Sequence, residues 1–225
     1  PQHFQSLESA FGPYSEHILF TNLESAWKRC EQVTAEELAA GLLAASATSQ
    51  RAKQRGKVQL VWTGPSTALV PIRHTEQVLC ELLGAARERL FMVSFVAYDL
   101  GSVITAMKVA LGRGVRISLL LESSAEHGGK VSYDSVRNMK TSLPEVNIYI
   151  WDKSKKEQGD WSGGAVHAKC AVADSHMAFV TSANLTGAAM ERNMECGVLV
   201  TGGNLPKLLH AHLDALITTE IVRRV

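Results

Sequence analysis

Apolar residues in the central part of the chain follow two spacings, one typical of buried strands and one typical of amphipathic helices. A continuous apolar run at 90–96 predicts a strand that is buried on both faces of a sheet. Before it, residues 58–62 predict a first strand, and residues 75–88 predict a helix that Thr75 caps. This helix has one apolar face, formed by Val78, Leu79, Leu82, Leu83 and Ala86.

The alternation of strands and helices continues towards the C-terminus. Residues 102–111 predict a helix and residues 115–121 the next strand, which makes a βαβ unit with parallel strands. The pattern further predicts helices at 132–140 and 205–217, polar loops at 122–130 and 152–164, and strands at 147–151, 167–173, 177–183 and 195–200. The predicted fold class is therefore α/β, with a mixed, largely parallel sheet flanked by helices.

The N-terminal part of the chain has a different character, because helical signals dominate from about Leu23 to Ala47. Thr34 can cap a helix whose first turn contains Glu36 and Glu37, where the helix dipole favours acidic residues. We therefore predict a short N-terminal helical appendage over residues 1–55 and a main domain over residues 56–225.

Composition narrows the classes of function. The 225 residues carry a formal net charge of +1, so binding to nucleic acid would depend on a local basic patch. The four cysteines form no C-x-x-C pair, which favours free thiols and a cytoplasmic location: Cys30, Cys80, Cys170 and Cys196. No carboxylate cluster suited to magnesium is apparent, and we expect neither a metal nor another cofactor. No apolar run approaches a membrane span, and an upstream segment before Pro1 stays an open question.

Groups suited to phosphate chemistry concentrate in residues 166–184. His167 and Lys169 are two residues apart in a predicted strand, so their side chains leave the same face. The next predicted strand ends in Ser182 and Asn184, which are again two residues apart. A nucleophilic imidazole, a cation and two neutral hydrogen-bonding groups could therefore converge on one small anion.

This pattern resembles the signature of the phospholipase D superfamily. The signature is His167-x-Lys169-(x)4-Asp174, followed by Thr181-Ser182-Ala183-Asn184 and later by Asn193-Met194-Glu195. The resemblance covers about residues 58–217 and implies a phospholipase D-like catalytic domain, although Thr181 stands where the family usually has glycine. Within the superfamily, the segments "HAKCAVAD" and "TSANLTGAAMERNME" are most similar to the phospholipase-D-like component of the bacterial anti-phage system DISARM.

The predicted roles combine the resemblance with the chemistry of each residue. His167 would attack phosphorus and form a phosphohistidine, and the resemblance assigns to Glu195 the acceptor for its second ring nitrogen. Asp174 should brace the fold or a neighbouring loop by hydrogen bonding without touching substrate. The remaining polar groups would donate to the non-bridging oxygens as charge builds up: Lys169, Ser182 and Asn184.

The chain carries one copy of the motif. In this superfamily two copies meet, one histidine attacking and the other protonating the leaving group. The resemblance therefore implies a homodimer with the site on its two-fold axis. The rate should then have a bell-shaped pH dependence that belongs to the pair of histidines.

Two segments could contact a polyanion. The basic run 51–57 is either a solvated helix end or a contact to a phosphate backbone. The predicted loop 152–164 is either a solvated loop or a substrate-binding segment. In the second case four of its residues would bind substrate: Lys153, Lys155, Lys156 and Trp161.

The motif and the composition together leave three candidate functions. The first is a metal-independent phosphodiesterase that acts on nucleic acid, DNA more than RNA, in anti-phage defence and with other defence-system proteins as partners. The second is a phospholipid hydrolase, which would need an interfacial apolar surface that the sequence does not clearly show. The third is a nucleic-acid-binding subunit with little activity alone.

Overall fold

The computed structural model describes residues 17–30, 32–67, 69–98, 100–123, 134–157 and 162–225. The chain divides into two compact units, with the division between Arg51 and Ala52. Among the described residues, no helix is both long and apolar enough to cross a membrane.

The first unit contains α1 (His17–Lys28) and α2 (Ala35–Arg55), and α2 continues past the division. The predicted cap of α2 is confirmed. The backbone amide of Glu37 donates to Thr34 Oγ1 (3.2 Å), and the amide of Thr34 donates to the Glu37 carboxylate (2.9 Å). This reciprocal pair satisfies two amides that the helix itself leaves without partners.

The second unit is an α/β layer structure. Its strands are β1 (Lys57–Thr63), β2 (Arg73–His74), β3 (Arg89–Ser94), β4 (Ala97–Tyr98), β5 (Arg116–Leu121), β6 (Asn147–Trp151), β7 (Cys170–Ala173), β8 (Met177–Thr181), β9 (Leu185–Thr186), β10 (Glu195–Thr201) and β11 (Val222–Arg224). Its helices are α3 (Thr75–Ala85), α4 (Gly101–Gly112), α5 (Ser135–Ser142), α6 (Lys153–Glu157), α7 (Gly187–Glu191) and α8 (Leu205–Thr218).

Nine of the described strands form one mixed sheet in the order β11-β6-β5-β3-β7-β8-β10-β1-β2. The predicted βαβ unit is present, since β3 pairs with β5 in parallel, and β6 extends the parallel part. The half that contains the motif is antiparallel, with β7 between β3 and β8 and with β10 beyond β8. The predicted mixed α/β sheet flanked by helices is confirmed.

Both faces of the sheet are buried at β3, as its continuous apolar sequence predicts. Leu90 and Met92 belong to the core cluster that contains side chains of α3 and α4. Phe91 and Val93 belong to the cluster on the opposite face, with Leu213 of α8. The chain therefore has two apolar layers separated by one sheet, and the motif strand β7 lies next to β3 between them.

Several local predictions were wrong. Thr75 is the first residue of α3 rather than its cap, because His74 occupies the cap position while it pairs in β2 with Trp62. The predicted loop 152–164 contains the helix α6, and the predicted strand 167–173 begins only at Cys170. Of the predicted polar loop 122–130, only residues 122 and 123 are described; they lie outside helices and strands as predicted, but Glu122 is 4% exposed.

Candidate active site

His167 and Lys169 lie directly before β7, outside the strand. The ladder between β3 and β7 ends at Cys170, but the amide of Thr181 still donates to the carbonyl of Lys169 (3.1 Å). His167 is exposed and its ring lies against Phe95, with centroids 5.5 Å apart. The nucleophile candidate is therefore held at the rim of the sheet, where a substrate can reach it.

The Lys169 ammonium contacts the imidazole directly. Its Nζ lies 2.8 Å from His167 Nδ1 and donates to the His167 carbonyl at 2.7 Å. The same Nζ lies 3.4 Å from His167 Nε2, so the ammonium is close to both ring nitrogens. Burial lowers the pKa of Lys169 from its ordinary 10.5, and the nearby Glu195 carboxylate partly opposes that shift. The spacing of two residues thus brings a cation and an imidazole together.

A second group of polar side chains lies where β8 and β10 meet. Ser182 Oγ donates to the Glu195 carboxylate and accepts from the amide of Cys196 (3.1 Å). The other carboxylate oxygen accepts from Asn193 Nδ2 (3.2 Å). In the described residues the Glu195 carboxylate is therefore hydrogen-bonded to Ser182 and Asn193 rather than to His167, the partner that the resemblance implies.

Asn184 follows β8 and is tied to the carboxyl end of β3 through its neighbour. The Leu185 amide donates to Ser94 Oγ (3.0 Å), and that hydroxyl donates to the Val96 carbonyl (2.7 Å). Asn184 Oδ1 is buried and has no hydrogen-bond partner among the described residues. One polar atom of a predicted site residue therefore has no hydrogen-bond partner in the described part of the chain. Burying such an atom costs free energy of folding unless a ligand or water bonds to it.

Asp174 lies in the turn between β7 and β8, and its carboxylate contacts backbone amides rather than the His167 imidazole. Its carboxylate accepts from the backbone amides of Arg87 (2.7 Å), Glu88 (3.0 Å) and Arg89 (2.9 Å). Partial burial acts to raise the pKa of this carboxyl, but the amide hydrogen bonds, with Arg89 first, outweigh it and lower the pKa below 3.8. The residue therefore ties the motif turn to the loop that enters β3.

The residues predicted to bind substrate are placed differently from one another. Lys153 and Lys155 are exposed on α6, and the Lys153 ammonium lies 3.7 Å from Glu157. Lys156 is buried, with its ammonium 3.6 Å from Glu122 and 5.3 Å from the centre of the Trp151 ring. Trp161 lies outside the described residues.

Sequence reasoning missed two residues beside the motif, Phe95 and Glu122. Phe95 directly follows β3, and Glu122 directly follows β5, so both stand at the carboxyl ends of parallel strands. That position is where α/β sheets commonly carry functional groups, and it is the signal that could have found them. No group of three or more His, Cys, Asp or Glu side chains in the described ranges is arranged to hold a metal ion.

Known proteins resemble this chain in sequence and in fold. The family model described as "Cardiolipin synthase, PLD-like domain" matches residues 79–217, more than half of the chain. The DISARM protein DrmC of Bacillus paralicheniformis is 26% identical over 152 residues, which cover 67% of this chain and 59% of the relative. Cardiolipin synthase A of Pseudomonas aeruginosa is 25% identical over 157 residues, which cover 70% of this chain and 29% of the relative.

Among solved structures, the phospholipase D family member Nuc from Salmonella typhimurium has the same fold, with a TM-score of 0.55 at 17% identity. The match covers 76% of this chain and 99% of Nuc. The chain spans less than two thirds of the length of the two curated relatives, 59% of DrmC and 29% of the cardiolipin synthase.

Proposed function

Since the chain belongs to the phospholipase D superfamily, we propose that it is a phosphodiesterase that uses His167 as nucleophile and needs no metal. The observation that carries this proposal is the exposed imidazole with the Lys169 ammonium 2.8 Å from its Nδ1. One side chain supplies the lone pair for attack, and the other supplies a positive charge for the phosphate oxygens.

Substrate binding would change the contact between these two residues. The non-bridging oxygens of a phosphodiester share a negative charge and compete with the imidazole for the Lys169 ammonium. As the ammonium turns to those oxygens, the imidazole is freed to attack phosphorus. Ser182 and Asn184, which follow β8, would add hydrogen bonds to the same oxygens.

The reaction then runs in two displacements. A ring nitrogen of His167 bonds to phosphorus while the bond from phosphorus to the leaving oxygen breaks, and the leaving alkoxide takes a proton from a second imidazole. That imidazole, now neutral, removes a proton from water, and the resulting hydroxide displaces His167 from phosphorus. The products are an alcohol and a phosphate monoester, and both imidazoles return to their starting states.

The second imidazole is proposed to be His167 of another copy of the chain, because this sequence carries the motif once. A homodimer with the active site on its two-fold axis would supply both imidazoles, one from each copy of the chain. The two imidazoles then start in different protonation states, which gives the predicted bell-shaped pH dependence.

The proposed substrate is nucleic acid, with DNA favoured over RNA. The exposed Lys153 and Lys155 on α6 would offer positive charge to a phosphate backbone. The similarity to a DISARM protein supports a role in anti-phage defence, in the cytoplasm and together with other defence proteins.

The test is cleavage of end-labelled DNA and RNA in EDTA by the wild type and by His167→Ala. The matched control is His176→Ala, which removes another exposed imidazole from the same hairpin. We expect cleavage by the wild type and the control, and none by His167→Ala. Equal cleavage by all three proteins, or none by the wild type, overturns the proposal, and binding without turnover supports a binding subunit instead.

Phospholipid hydrolysis is the second candidate, because cardiolipin synthases are among the relatives. Release of choline from phosphatidylcholine vesicles tests it with the same three proteins. Release that depends on His167 would establish this activity, and the absence of both release and vesicle binding would remove it.

A further inference from the structure

Glu122 is a buried carboxylate at the carboxyl end of β5. It directly follows Leu121, and it is 4% exposed. A buried carboxylate is costly unless charge and hydrogen bonds compensate it, so its contacts define what it does for the fold.

The two oxygens of this carboxylate reach two different segments. Oε2 accepts a hydrogen bond from the backbone amide of Val166. Oε1 lies 3.6 Å from the ammonium of Lys156, and the two charged side chains are 2% and 8% exposed. Glu122 therefore fixes one position on α6 and the residue directly before His167.

The side chain of Val166 is also fixed, by packing in the core. It is 7% exposed and packs in the core cluster that contains Val93 and Val172. With its amide on Glu122 and its side chain in the core, Val166 has little freedom to rotate. The exposed His167 takes its backbone direction from this anchored neighbour.

We propose that Glu122 is a positioning residue for His167, acting through the Val166 amide, with Lys156 as the counter-charge that holds the carboxylate in place. This inference rests on the proposed function of His167. Loss of the hydrogen bond would let the backbone at 166–167 turn and move the imidazole away from Lys169. A misplacement of about 1 Å can lower a rate by about 100-fold.

Three variants test the inference. In Glu122→Gln, the Lys156 ammonium should compete for the amide oxygen and leave the Val166 amide facing a donor. We expect kcat to fall about 10- to 100-fold, with KM changed by less than about threefold. In the double variant Glu122→Gln/Lys156→Met, the ammonium is gone and the glutamine oxygen can accept from Val166, so most of the lost kcat should return. Glu157→Gln is the control, because it removes the carboxylate of an exposed pair on the same α6.

The ring resonances of His167 supply a readout that needs no turnover. Nuclear magnetic resonance of protein with ¹³C,¹⁵N-labelled histidine identifies them by their absence in His167→Ala. They should shift in Glu122→Gln, return towards the wild-type position in the double variant and stay unchanged in Glu157→Gln. If the single variant does not fold, the double variant still decides, because its kcat and ring resonances should both be close to those of the wild type.

Folded Glu122→Gln with kcat within about twofold of the wild type and unmoved His167 resonances would overturn the inference. The same holds for a double variant that folds but stays as inactive as the single variant. A wild type without turnover would instead defeat the phosphodiesterase proposal, while the ring resonances would still report on positioning.

Discussion

Replacement of Asp174 by alanine should lower the free energy of unfolding of the sheet unit by about 3–4 kcal/mol. Three backbone amides lose their acceptor, those of Arg87, Glu88 and Arg89. Hydrogen bonds to a charged group are worth about 1.5–3 kcal/mol each, but the site is partly exposed and water can reach the freed amides, so about 1 kcal/mol each is appropriate. Asp174 also has a φ of 50°, which costs alanine about 1 kcal/mol more than aspartate.

Asp174→Asn is the matched variant, because asparagine tolerates a positive φ. Its carbonyl oxygen can replace Oδ1, which accepts from Glu88 and Arg89, while its amino group faces the Arg87 amide. We expect a loss of about 2 kcal/mol, since one amide is unsatisfied and the remaining bonds are no longer assisted by charge. The difference between the two variants reports the two hydrogen bonds that asparagine keeps together with the cost of a positive φ for alanine.

The stabilisation should also depend on pH in a defined direction. The folded-state pKa of Asp174 is lowered below 3.8, so the unfolded chain takes up a proton first as the pH falls. The contribution of the carboxylate is therefore complete above the ordinary pKa and is lost as the pH falls through the lowered one. The stability gap between the wild type and Asp174→Asn should narrow below about pH 3.8.

Urea denaturation followed by circular dichroism measures these differences at equilibrium, and a thermal melt should show the alanine variant unfolding about 10 °C earlier. Folded Asp174→Asn at low temperature should retain phosphodiesterase activity, because the carboxylate contacts the backbone amides and not the imidazole. An alanine variant that loses less than about 1 kcal/mol, a gap that widens as the pH falls, or a folded but inactive asparagine variant would refute the reasoning.

Three further changes have distinct expected results. Lys169→Met should lower kcat by about 100- to 1,000-fold in a steady-state assay while leaving the urea midpoint unchanged, and kinetics like those of the wild type would contradict the assignment. Ser182→Ala removes the hydroxyl that donates to Glu195, and we expect kcat to fall about 10-fold or more in a steady-state assay, whereas unchanged kinetics would exclude Ser182 from the reaction. Gly197→Ala would place a Cβ 2.8 Å from Phe179 Cε2, so a thermal melt should show a loss of about 1–3 kcal/mol, and an unchanged melt would mean that the strand can shift.

The sequence predicted the parts of the fold that depend on local pattern. The run at 90–96 indicated a strand buried on both faces, and Phe91 and Met92 indeed belong to opposite core clusters. The spacing of two residues also predicted that His167 and Lys169 lie on one side, and their side chains are in contact although β7 begins only at Cys170. These features need no knowledge of distant segments.

Other features depend on long-range contacts and could not be predicted locally. Glu122 reads as the start of a polar loop, and it is buried because Lys156 and Val166 arrive from elsewhere in the chain to compensate it. Thr75 reads as a helix cap, but the pairing of His74 with Trp62 sets where α3 begins. The partners of Glu195 likewise depend on how β8 and β10 meet.

The β7–β8 hairpin has a consequence for how the site forms during folding. It carries the imidazole, the ammonium, the Ser182 hydroxyl and the Asn184 amide on one continuous segment, residues 167–184, so these groups approach each other with a small loop-closure entropy. Glu122 joins the site only through its hydrogen bond to Val166, a contact of much greater sequence separation, which forms more slowly. The anion-binding groups can thus assemble early as one unit, while the Glu122 carboxylate joins them when β5 enters the completed sheet.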